Sequence, residues 1–93
     1  KGYYPYLDKK DIENDFEEKK KATLSHFPEI DEIEVLYAVA KDGYVGYSVT
    51  IEIAYAYAKG KEIITSEPLK ELAIKALVSK ELNEEEFIEY ISN

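Results

Sequence analysis

Ninety-three residues, 45% of them hydrophobic, supply apolar side chains for one core and leave little for a second, so a single domain over residues 1–93 is expected. Twenty acidic residues against twelve lysines leave a net charge of −8, which repels phosphate backbones and anionic lipid and argues against nucleic-acid or membrane partners. The absence of Cys removes disulfides, thiolate nucleophiles and cysteine zinc sites, and no apolar run reaches the ~18 residues that would span a bilayer.

Tyr3-Tyr4-Pro5-Tyr6-Leu7 reads as an irregular lead-in over 1–7, since Pro5 turns Tyr4 away from helical backbone. Asp8 then stands as the N-cap of a helix over 8–26, with Asp11 at its third position and Leu7 and Ile12 placed as a hydrophobic staple. Ile12, Phe16 and Leu24 mark a thin apolar stripe, and Pro28 closes the helix near His26.

From Ile33 the apolar period changes to two, with Ile33, Val35, Tyr37 and Val39 opposed by Leu36, Ala38 and Ala40. A second alternation runs from Val45 to Ala58 and is long for one strand. A three-residue Lys41-Asp42-Gly43 loop with Gly43 left-handed pairs Val39 with Val45, Tyr37 with Tyr47 and Val35 with Val49, which keeps large residues on one face. The same logic at Ala58-Lys59-Gly60 returns a short third strand over 61–65, with Tyr55 opposite Ile63.

Ser66 is placed to cap a helix whose buried stripe is Leu69, Leu72, Ala73, Ala76 and Leu77. Asn83 caps a last helix with Glu86 at its third position, a capping box, and Leu82 and Phe87 as a staple. The expected fold class is therefore α+β, a two-layer sandwich with a three-stranded antiparallel meander packed against helices, in the order α-β-β-β-α-α. In element order alone this resembles cystatin-like and NTF2-like domains, although a chain without Gln cannot carry the cystatin Gln-x-Val-x-Gly loop.

Nine tyrosines are the richest functional hint. Tyr37, Tyr47, Tyr55 and Tyr57 fall on the large-residue face of the expected sheet, where they read first as core and core-edge residues and second as the lining of a ligand pocket. The opposite face, Leu36, Ala38, Ala40, Ala54, Ala56 and Ala58, is flat and weakly apolar, suited to a homodimer or a protein partner if it is not simply exposed. Asp8, Asp11 and Asp15 share one helix side, and Glu84 to Glu86 cluster likewise; capping and the helix dipole account for both, so neither a metal nor a cofactor is expected. His26 is the lone imidazole and has no nucleophile facing it in the sequence, so no catalysis is expected. An acidic mimic of a nucleic-acid backbone is disfavoured by the lysines interleaved throughout.

Arg, Gln, Met and Trp are all missing, an alphabet that either an AT-rich genome or a designer's choice produces. Agreement among caps, staples, glycine turns and face segregation favours an idealised or designed soluble scaffold, with or without a binding surface. The alternative is a natural acidic protein-binding or inhibitory module acting through the alanine face or the tyrosines. Localisation stays open on composition alone.

Overall fold

The computed structural model describes residues 16–92. The lead-in, the Asp8 cap, the Leu7–Ile12 staple and the Asp8, Asp11 and Asp15 group lie outside that range. Helix α1, Phe16–Asp31, runs on past Pro28, where closure is expected. Proline removes one backbone donor there, but the residues on either side of it are held by packing: Phe27 stacks on Tyr55 with ring centroids 4.3 Å apart, and Ile30 is fully buried.

Three strands form one sheet, β1 (Val35–Ala38), β2 (Glu62–Thr65) and β3 (Lys80–Glu81), in the order β1-β2-β3. Every pairing is parallel, with Val35 opposite Glu62, Ala38 opposite Thr65 and Ile64 opposite Lys80. The antiparallel meander is thus overturned, and with it the expected Tyr37–Tyr47 and Tyr55–Ile63 pairings. Most of the expected second strand is helix α2, Tyr47–Ala58, the crossover that a parallel pair requires. Its alternation is real but misleading: Val49, Ile53 and Ala56 also fall on one helical face, and Ala54, Ala56 and Ala58 favour helix.

Both turn glycines are left-handed, as expected, but serve helix geometry rather than hairpins. Gly43, φ 78°, ends a short 3-10 turn, Lys41–Gly43, and a Cβ there would meet the Pro68 carbonyl oxygen at 2.6 Å. Gly60, φ 81°, stands just beyond the α2 C-cap, Lys59. Its N–H donates to the Tyr57 carbonyl and the Lys61 N–H to that of Ala56, the paired bonds of a Schellman ending.

Ser66 caps no helix; its Oγ accepts from the Ala40 N–H at 2.7 Å and ties the end of β1 to the end of β2. The helix expected after it shrinks to one turn, α3 (Leu72–Lys75), capped by the Glu71 carboxylate, and β3 occupies what reads as its continuation. The last helix, α4 (Glu84–Ser92), starts as expected: Asn83 Oδ1 accepts from the Glu86 N–H and Glu86 Oε1 accepts from the Asn83 N–H, each at 2.8 Å.

Leu36, Ala38 and Ile63 bury one sheet face against Ile30 of α1 and Ile53 and Ala56 of α2. Tyr37, between Leu36 and Ala38, points to the opposite face, where it stacks on Phe87 of α4 at 4.1 Å and donates to the Leu82 carbonyl. The sheet therefore has helices on both faces, not on one. Among the described residues, no helix is long and apolar enough to cross a membrane.

Candidate functional site

Helix α2 carries a single charged side chain, Glu52, and that side chain is buried at 4% exposure. A carboxylate loses its hydration when buried and must be met by a partner or hold a proton. The partner comes from α1: His26 Nδ1 lies 2.7 Å from Glu52 Oε2. One proton serves that contact, donated to the carboxylate when the ring carries it and to Nδ1 when the carboxyl does. Burial pushes the Glu52 carboxyl above its ordinary range; the hydrogen bond and charge of His26, then Lys19, pull back part of the rise, and Glu29 adds to it.

The same seam holds further polar contacts. Lys19 Nζ donates to Ser48 Oγ at 2.8 Å, one turn before Glu52. Tyr55, one turn beyond, donates to Asp31 Oδ1 at 2.8 Å, and that bond, before burial, raises its phenol. Partners rise in number along both helices together, so α1 and α2 run in the same direction, with Lys19, His26, Ser48 and Glu52 gathered toward the N-terminal half of α2.

On the other side of that N-terminal half lies an open cleft of about 860 Å³. Asp42, Tyr44, Tyr47, Thr50, Lys70 and Glu71 line it, on segments that follow the carboxyl ends of β1 and β2. In open parallel sheets, ligands bind at that edge. The first turn of α2 separates cleft from seam, carries no acidic residue, and starts from Gly46 without a side-chain cap.

The four tyrosines singled out in the sequence do not converge. Tyr47 is 91% exposed at the cleft, Tyr55 belongs to the seam, Tyr57 is half exposed, and Tyr37 is buried beneath α4. Burial, with Glu84 and Glu86 nearby, raises the Tyr37 phenol. The flat face also divides: Leu36, Ala38, Ala40 and Ala56 are buried, while Ala54 and Ala58 are exposed on α2. Glu52 is the residue that sequence reasoning passes over, although one acid in an otherwise uncharged stretch from Val45 to Ala58 is a visible signal. Comparison with known families, curated proteins and solved structures finds no match to this chain.

Proposed function

We propose that this chain acts on a small molecule by acid–base chemistry, with Glu52 as the group that gives and takes the proton and His26 as its positioning residue. The observation that carries this is the buried Glu52 carboxyl, raised by desolvation and bonded to the lone imidazole of the chain. A chain that needed only to fold would do as well or better with an apolar residue there, because a buried carboxylate with its partner roughly breaks even or loses against well-packed hydrophobic side chains. A carboxyl held above its ordinary range is, by contrast, better suited to protonate a leaving group and then withdraw a proton from water.

The substrate is placed at the first turn of α2, which parts the cleft from Glu52 on the seam. Tyr44, Thr50 and Lys70 line the cleft side of that turn, the turn starts without a side-chain cap, and Ser48 and Glu52 stand on the seam side. Carboxyl groups with this role commonly work at ester and acetal carbons, where the leaving oxygen needs a proton. The test is a panel of p-nitrophenyl esters, glycosides and phosphates offered to the wild type and to Glu52→Gln. Turnover of one class, lost by roughly 10²-fold or more in the variant with helix content unchanged, supports the proposal. No turnover of any class, or equal rates in the two proteins, counts against it.

The second reading is a non-catalytic scaffold or protein-binding module, in which Glu52 and His26 only clamp two helices. The charge-free outer face of α2 favours it. Under that reading Glu52→Gln changes stability alone.

A further inference from the structure

Helix α2 is apolar on its outer side as well as its inner one. Tyr47, Ile51, Ala54 and Ala58 recur at i, i+4, i+7 and i+11, one stripe of a helix, and point away from the sheet. Tyr47 is 91% exposed, Ile51 45%, and both alanines are exposed. A third of the chain's residues are charged, yet this stripe has none. A surface helix normally turns its polar side outward, and a helix apolar all round is normally covered.

The order of sizes along the stripe says what covers it. Two large residues occupy its first half and two small ones its second. Set two copies of α2 antiparallel about a two-fold axis between Glu52 and Ile53, and Tyr47 of one meets Ala58 of the other while Ile51 meets Ala54. Each large side chain then lies over a small one, twice over, as a self-complementary interface demands. Parallel pairing would stack Tyr47 on Tyr47 and leave a gap at the alanines.

Charge points the same way. Copies that each carry −8 repel through most of their surfaces, and an uncharged stripe is where they approach with least penalty. Antiparallel helices also set the positive end of one dipole beside the negative end of the other. The alanines allow the axes to come within about 8–10 Å. We propose that a second copy of this chain docks there, forming a two-fold dimer through the outer face of α2. Four residues per copy, flanked by half-exposed Tyr57, fall short of the roughly 800 Å² per partner of standard interfaces, so the dimer is weak and concentration-dependent.

Sedimentation equilibrium over a concentration series tests this on the full chain. The wild type is expected to pass from monomer to dimer in the micromolar range. Ile51→Glu and Ala54→Lys are each expected to weaken self-association tenfold or more, because each substitution enters the two-fold contact twice. Mixed in equal amounts, the two variants should regain dimers, since the introduced carboxylate of one faces the introduced ammonium of the other. Circular dichroism confirms that both remain folded, as substitutions at exposed positions should. A wild type that stays monomeric, a dimer indifferent to Ile51→Glu, or a mixture no tighter than its components would overturn the proposal.

Discussion

Two sides of helix α2 solve the problem of burial differently. Against the sheet, Ile53 and Ala56 join Leu36, Ala38 and Ile63 in one apolar cluster. Against α1, the same helix buries Glu52 and satisfies it with one histidine. The first arrangement is what stability alone selects. The second carries a desolvation penalty that its hydrogen bond only partly offsets. One helix thus separates the contact that holds the fold from the contact that holds a proton.

Breaking the apolar side should have the largest effect. Ile53→Ala is expected to cost about 3 kcal/mol, since Ile53 is fully buried and its neighbours cannot all close on the cavity; urea denaturation measures it. His26→Ala comes next, at about 2 kcal/mol near neutral pH, because it leaves a buried carboxyl without its partner. That loss should shrink in acid, where Glu52 takes up a proton and no longer needs the ring.

Replacing the pair together sharpens the contrast further. Glu52→Leu combined with His26→Leu is expected to be neutral or stabilising by about 1 kcal/mol, while any turnover disappears. A marked loss of stability in the double variant would mean that the dyad is structural after all. The smallest effect is the pH dependence. Glu52 is raised in the folded state, so between its unfolded value, about 4.3, and its folded value the native protein binds more protons than the unfolded chain. Stability contributed by that group is therefore greatest in acid and falls as pH rises through the window. Thermal melts of wild type and Glu52→Gln, compared across that range, should differ by this slope.

How much of this was visible in the sequence depends on the distance over which each feature is decided. The Asn83–Glu86 capping box is settled within four positions and stands as expected. The left-handed glycines at 43 and 60 were equally legible, but a left-handed glycine ends a helix as readily as it turns a hairpin. The segment from Val45 to Ala58 satisfies both periods because nearly every position is apolar, and hydrophobicity alone cannot then choose between them. Pairing of Val35–Ala38 with Glu62–Thr65 is non-local, set by a crossover helix that hairpin register between neighbouring segments does not reveal.

The face assignments followed that error. With α2 packed over the sheet, Leu36, Ala38 and Ala40 become interior and the tyrosines scatter among cleft, seam and far face. His26 and Glu52 were each conspicuous as the one imidazole and the one charge of an apolar stretch. Their meeting required knowing that both sit on helices running side by side.

The account turns on Glu52 being a buried acid whose proton is held above the ordinary carboxyl range. Following its side-chain carboxyl carbon by ¹³C NMR from acid to neutral pH, with Glu52→Gln to assign the signal, measures this directly. A midpoint above the ordinary glutamate range, shifted again in His26→Ala, is the predicted result. A Glu52 that titrates together with the surface carboxylates, indifferent to His26, would contradict it.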